Sequence, residues 1–380
     1  MTFLAKNKKN IAILFGIVAF WAVIYYVRDL PLTPPNGVSF GGDTRSYVDS
    51  IGLIKTGLLP RPDFTPNRLL TNFAYLKLLM LFDALGIFWL GWIALNSLFY
   101  ILSGFILYKI IYRIFNSDKV AVIGVALYLG NYVAVTFGLH YLTDMGSFMF
   151  YLAAAYFSLE YIYTQKESNI YWAGVMTGTG GLFKEYALGG YFIIVGALLY
   201  TAYSQNKKIL RSLVIATLMS FVPVALVHLS VYLQYHYTYL DFYNFMRVQP
   251  SHAYHSKIIE HTKALGYMYN VGFILFGYSL YLICKNRIKY FDDKTLAYLI
   301  IIFISASPIF MYPGITERLD FIVAPFLILI SCVAIKEHEN RWTWFLPLVA
   351  VYLVASFCMD EYILQPEWEQ TLVGFIKNII

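Results

Sequence analysis

A chain of 380 residues with 59% apolar and only 13% charged residues carries about half the ~25% charge usual for soluble domains. That excludes a soluble core, which stops growing near ~250–300 residues, and equally a disordered chain or a coiled coil. The net charge of +6 suits loops facing anionic lipid heads better than a nucleic-acid footprint.

What remains is an all-α polytopic membrane protein, because spanning backbone must satisfy its own hydrogen bonds. Residues 1–380 read as one integral membrane domain. Cys284, Cys332 and Cys358 have no ligand-like spacing and read as small packed apolar residues. The 34 Tyr and 30 Phe suit membrane interfaces and polar cavities.

In chain order, Ile11 to Val27 is the first apolar run. Lys6, Lys8 and Lys9 precede it, so it reads as a retained helix with a cytoplasmic amino end. A first outer loop, 28–84, follows and includes juxtamembrane helices. Its run Leu69 to Phe82 has about 14 residues, short of the ~20 that a span needs. It reads as an outer amphipathic helix or an outer extension of the second span. Further spans are expected at 87–111, 120–137, 141–163, 170–183, 187–203, 213–233, 265–284, 296–312, 319–335 and 345–359, eleven in all. A second long outer loop covers 234–264, and a short outer tail covers 360–380. The Lys/Arg-rich breaks all fall after even-numbered spans, as the positive-inside rule requires.

This topology puts the unusual polar residues at outer helix ends. Gly-Gly-Asp43-Thr-Arg45-Ser-Tyr47 opens the first loop, and Asp43 and Tyr47, four apart, share a helix face. Asp43 reads equally as an N-cap or as a carboxylate held for proton transfer. His140 and Asp144 flank the start of the fourth span, where the helix dipole also favours an acid. Lys184 and Glu185 interrupt an apolar stretch of about 34 residues. Ionisable groups at such depth favour a cavity role, with a mutual salt bridge as the bland alternative. Arg318, in Glu317-Arg318-Leu-Asp320, can fork onto a phosphate or pair with Glu317. His252, His255 and His261 match no common zinc frame and read as solvated loop residues. No Walker loop, HExxH or CxxC motif occurs, which weakens ATPase, zinc protease and redox readings.

The order of these pieces resembles the GT-C glycosyltransferases, in particular the protein O-mannosyltransferase and aminoarabinose transferase branch. The similarity lies in Gly42-Asp43-Thr-Arg45-Ser-Tyr47 with Ile54-Lys-Thr-Gly57, Arg68, Leu142-Thr-Asp144, Gly181-Leu-Phe-Lys184-Glu185 and Arg318 to Pro325. It covers about residues 10 to 335. Thr44 stands where many members carry a second acid, and the soluble carboxyl domain of some members is absent.

The resemblance implies transfer of a sugar from a polyprenyl-phosphate-linked donor to a lipid, glycan or protein acceptor at the extracytoplasmic face, with inversion. Asp43 would be the general base. Asp144, Tyr47, Arg68, Lys184, Glu185, Arg318 and His140 would bind substrate. A divalent cation (Mg or Mn), if present, would sit on Asp43 and Asp144. Besides membrane lipids, no other class of partner is implied, nucleic acid included. A bacterial or archaeal inner membrane is the expected setting, since no Asn-x-Ser/Thr sequon or retention signal occurs. The rival readings are a lipid-linked oligosaccharide polymerase or ligase, a lipid or sugar transporter, and a silent scaffold. A transporter would place charges near the midplane and show matching halves; here the charges are one-sided.

Overall fold

The computed structural model describes Gly16 and residues 41–58, 65–247, 257–286, 289–311 and 317–364. The expected first span and most of the carboxyl tail lie outside the described residues, as do His252 and His255.

Among the described residues the chain is helical, with no strand. Helix α1 (Gly41–Thr56) carries the Asp43 motif, followed by α2 (Asn67–Thr71) and α3 (Phe73–Ala84). At 1.5 Å per residue, the 12 residues of α3 reach about 18 Å. That is short of a ~30 Å hydrocarbon core. Helix α4 (Phe88–Phe115) then runs back against α3.

The expected 120–137 span is broken. Helix α5 (Asp118–Leu129) stops at Gly130, and Asn131 caps the short α6 (Tyr132–Thr136) by accepting from Val133 N at 2.9 Å. Asn131 Nδ2 also donates to Met268 O at 2.6 Å and to Tyr352 Oη at 2.8 Å. The break is therefore tied to two distant segments.

Helix α7 (Asp144–Thr164) lies among α4, α8 (Glu167–Phe183) and α9 (Gly190–Gln205) and is buried over most of its length. A 3-10 turn, Glu185–Gly189, joins α8 to α9. Helix α10 (Leu210–Tyr235) contains Pro223 and packs closely on α8. A Cβ at Gly178 would lie 2.3 Å from Met219 O, so only glycine permits this backbone approach, the small-residue contact typical of membrane helices.

Next come α11 (Tyr239–Arg247), α12 (Lys257–Tyr269) and α13 (Gly272–Asn286). The last two are bent by 101° at their junction. Helix α14 (Asp293–Ala306), the one-turn α15 (Glu317–Asp320), α16 (Ala324–Glu337) and α17 (Phe345–Leu364) complete the described chain.

Six helical segments among the described residues are long and apolar enough to cross a membrane, or seven if the bent pair is one span. The runs at 120–137 and 170–183 form shorter helices, and the 141–163 run is the buried α7. Conversely, α10 presents Leu218, Leu226, Leu229 and Leu233 outward, and α17 presents Leu346, Val351 and Val354. Such apolar outer faces suit lipid, not water.

Antiparallel helices divide the bundle into two ends. At one, the basic breaks meet: Arg113 pairs with Glu160 at 3.2 Å, Lys207 with Glu167 at 3.8 Å, and Lys336 with Glu339 at 2.6 Å. Ser117 Oγ donates to Glu339 Oε1 at 2.6 Å, closing α5 onto the loop after α16. The starts of α1 and α7, the end of α8 and the short α15 lie at the other end.

Candidate functional site

At that other end a rigid frame forms before any charge is considered. The loop His140–Thr143, leading into α7, is held from three sides. From α4, Trp92 Nε1 and Asn96 Nδ2 each donate to Leu142 O at 3.0 Å. Asn96 also donates to His140 O. From α1, Thr44 Oγ1 donates to Tyr141 O at 3.1 Å, and Tyr47 Oη lies 3.0 Å from Thr143 Oγ1. Asn72 Nδ2 donates to Thr143 Oγ1 at 2.8 Å and to Phe183 O at 2.7 Å. Thr44, which replaces the second acid of many resembling proteins, thus serves as a frame hydroxyl. Tyr47, Asn72, Asn96 and Thr143 are fully buried, and satisfied buried polar groups of this kind fix one geometry.

The frame sets Asp144 in the first turn of α7 with no solvent exposure. Lys184 stands at the break after α8, where the backbone is extended (φ −168°, ψ 145°). This turns its side chain inward, 3% exposed, with Nζ 2.8 Å from Asp144 Oδ1. Ser147 Oγ donates to the Lys184 carbonyl at 3.2 Å, and Tyr186 Oη donates to Asp144 Oδ1.

Arg318, from α15, bridges both acids. Its Nη1 donates to Asp43 Oδ2 at 2.9 Å, and its Nε lies 3.6 Å from Asp144 Oδ1. Arg68, from α2, donates to Asp43 Oδ1 and stacks over the Tyr47 ring at 4.6 Å. Asp43 and Tyr47 therefore meet one partner, as residues four apart on a helix should.

Asp43, Tyr47, Arg68, Asp144, Lys184 and Arg318 come together as one cluster. The bland pairing of Lys184 with Glu185 does not occur; Lys184 goes to Asp144, and Glu185 faces the neighbouring cavity. Burial raises the Asp43 carboxyl, but the charges of Arg68 and Arg318, with Lys184 behind, outweigh it and hold Asp43 well below the usual carboxylate range. His140 is half-buried outside this cluster, with its ring edge-on to Tyr141. Burial lowers its pKa to about 3, so it is neutral at physiological pH.

Arg68, Lys184 and Arg318 face Asp43 and Asp144, with Glu185 near enough to act on Arg68 and Lys184; fork and point-charge donors of this kind can hold an anion. A metal fits less well. Asp43 and Asp144 both engage Arg318, and no group of three or more His, Cys, Asp or Glu suited to a metal occurs among the described residues.

Beside the cluster lies a cavity of about 640 Å³, between α2, the 185–189 turn, α9, α10, α11 and the α14–α15 region. Its wall is mostly apolar, including Leu188, Phe221, Val224, Ile309 and Ile322. Glu185, Tyr186, His228 and Tyr239 bring polar atoms to it, as do Thr71, Tyr191 and Ser305.

One polar pair was not legible in the sequence. His261 is a buried residue of α12 (3% exposed), not a solvated one; its Nδ1 lies 2.8 Å from Asp320 Oδ1 and 3.0 Å from Oδ2. The pair ties α12 to α15, two residues from Arg318. Among the frame groups, Asn96 inside an apolar run was the available signal, since polar side chains there seek partners across helices.

A helical bundle with apolar outer faces and a buried charge cluster at one end fits an integral membrane protein. Over less than half of the chain, residues 78–232 match the dolichyl-phosphate-mannose-protein mannosyltransferase family. That match supports a GT-C superfamily glycosyltransferase using a polyprenyl-phosphate-linked sugar. No curated protein matches the sequence. The matched segment contains Asp144, Lys184 and Glu185, and the ion pairs join it to Asp43, Arg68 and Arg318 outside it.

Proposed function

We propose that the protein transfers a hexosyl or pentosyl group from a polyprenyl-phosphate carrier to a hydroxyl of a lipid, glycan or protein acceptor, with inversion, at the extracytoplasmic face of a bacterial or archaeal inner membrane. The observation that carries this reading is the convergence of Arg68, Lys184 and Arg318 on two carboxylates beside an apolar cavity.

The carrier phosphate binds the cluster's cations, with Arg318 offering a planar fork and Lys184 a point charge. Poor solvation at this depth strengthens both contacts. Asp43 is the general base. In the cluster as it stands, both its oxygens accept from arginines, which suppresses its basicity. A phosphate competing for those guanidiniums loosens their hold and restores it. The acceptor hydroxyl then attacks the anomeric carbon from the face opposite the phosphate. The new C–O bond forms as the sugar–phosphate bond breaks, its electron pair leaves on phosphate oxygen, and Asp43 takes the hydroxyl proton. The cations stabilise the departing phosphate. Asp144 spaces Lys184 and Arg318, and its Oδ2, buried without a hydrogen-bond partner among the described residues, is placed to accept from a substrate hydroxyl.

Asp43→Asn keeps the shape but cannot take the proton. Transfer from a panel of radiolabelled polyprenyl-phosphate sugars should fall at least ~10²-fold, with folding and donor binding largely retained. Near wild-type transfer by purified Asp43→Asn would remove Asp43 from this role.

The topology follows the basic breaks: a single membrane domain with eleven spans, the amino end inside, and the 28–84 loop, the 234–264 loop and the 360–380 tail outside. The clustering of the Arg113, Lys207 and Lys336 pairs at one end supports it. Introduced cysteines at 207 and 287 should react only from the cytoplasmic side; labelling from outside would sink both topology and site.

A further inference from the structure

We propose that Glu185 is the sugar-recognising group of this site, its carboxylate accepting hydrogen bonds from ring hydroxyls of the donor. This deepens the proposed function and rests on it.

The backbone sets the arrangement. The extended residue Lys184 sends its own side chain to Asp144, and the next side chain, Glu185, lines the cavity. Glu185 Oε2 is buried and has no hydrogen-bond partner among the described residues. A buried carboxylate oxygen left this way is costly, because nothing replaces its hydration. All three cluster cations are ion-paired to Asp43 or Asp144, and Lys184 and Arg68 reach Glu185 only through their charge, not through an ion pair.

A phosphate does not explain Glu185 either, since a carboxylate repels it. The group that suits this oxygen is a hydrogen-bond donor that arrives with the ligand. A sugar linked to the phosphate provides several. With the phosphate at Lys184 and Arg318, the sugar adjoins the next residue in the chain, and Tyr186 bridges the two places by lining the cavity while holding Asp144.

The cavity, about 640 Å³, falls within the ~300–1,000 Å³ typical of small-molecule sites. Its apolar wall with few polar groups is the pattern that orients a ligand through those few. Across from the 185–189 turn, Tyr239 and His228 stack at 6.2 Å with ring planes 14° apart. They offer a flat face with polar edges to the same ring. Phe192 and Phe221, partly exposed on the lining, are left for the isoprenoid chain.

The test compares carriers with and without a sugar. Purified full-length protein in detergent is titrated with undecaprenyl phosphate and with its mannosyl, glucosyl and galactosyl derivatives. In the wild type, at least one sugar-bearing lipid should bind about tenfold or more tighter than the bare carrier, the worth of one or two hydrogen bonds to a charged acceptor. Glu185→Gln and Glu185→Ala should abolish that preference without weakening bare-carrier binding, which stays level or tightens as the carboxylate's repulsion is lost. Should the Ala variant fail to fold, the isosteric Gln variant carries the test. A preference that survives in either variant overturns the proposal, as does equal weakening of both kinds of lipid. If the wild type binds bare and sugar-bearing carriers equally, the sugar role falls and the phosphate site stands. Binding of neither lipid overturns this proposal together with the function beneath it.

Discussion

The two ends of the bundle use the same ionic chemistry in opposite surroundings. At the site end, the Asp43, Asp144, Arg68, Lys184, Arg318, His261 and Asp320 side chains are 0 to 31% exposed. At the basic end, the Arg113–Glu160, Lys207–Glu167, Lys289–Glu337 and Lys336–Glu339 side chains are 21 to 52% exposed. Exposed pairs contribute little, because water and salt screen them and ordering two long chains costs entropy. Buried pairs cost much to desolvate and are dangerous to break singly. Under the proposed function, the basic end would mark orientation and the site end would hold charge for a ligand.

The largest effect should come from breaking the buried side at its hub. Asp144→Ala removes the partner of Lys184 and one partner of Arg318 and leaves cations in a dry setting. Loss of about 3–5 kcal/mol is expected, read by denaturant unfolding in detergent. Asp144→Asn, which keeps the shape, should also be destabilised, because the negative charge is what the cations need. A cost below about 1 kcal/mol for both would mean that water reaches the cluster and that the contrast between the ends is false.

A smaller effect is expected at the edge of the same region. His261→Ala leaves Asp320 buried without its imidazole, at a cost of about 1–3 kcal/mol. A double-mutant cycle with Asp320→Asn measures the coupling directly. Additive losses would show that the pair does not hold α12 to α15, and that Arg318 is placed by its carboxylates alone.

Much of the site end was readable in the sequence, and the reason is physical. A charged residue in an apolar chain is expensive, so Asp43, Arg68, Asp144, Lys184 and Arg318 stood out, and the structure brings them together at one end of the bundle. The sequence could not say who pairs with whom. Lys184 and Glu185 are neighbours in sequence, yet the extended backbone at Lys184 separates them. His261 and Asp320 are 59 residues apart, and no local pattern links them. The 120–137 run read as one span because Gly130-Asn131 is uncharged; its break rests on Asn131 reaching Met268 and Tyr352, contacts that exist only in three dimensions.

The smallest effect belongs to the basic end, and it is the sharper test of the contrast. Lys207 and Glu167 lie 3.8 Å apart, with side chains 35 and 39% exposed. The distance is long for a direct hydrogen bond, water competes for both groups, and Lys207 gives up rotamer freedom to stay near its partner. Lys207→Gln keeps most of the length and removes the charge, so unfolding stability should change by less than about 1 kcal/mol. Any change should shrink further as salt rises and the screening length falls. Membrane orientation is a separate readout, because one lysine among several basic breaks does not set it alone. If Lys207→Gln instead costs as much as Asp144→Ala, with no salt dependence, burial is not what separates the two ends, and the site-end cluster loses its claim to be the charge store of the protein.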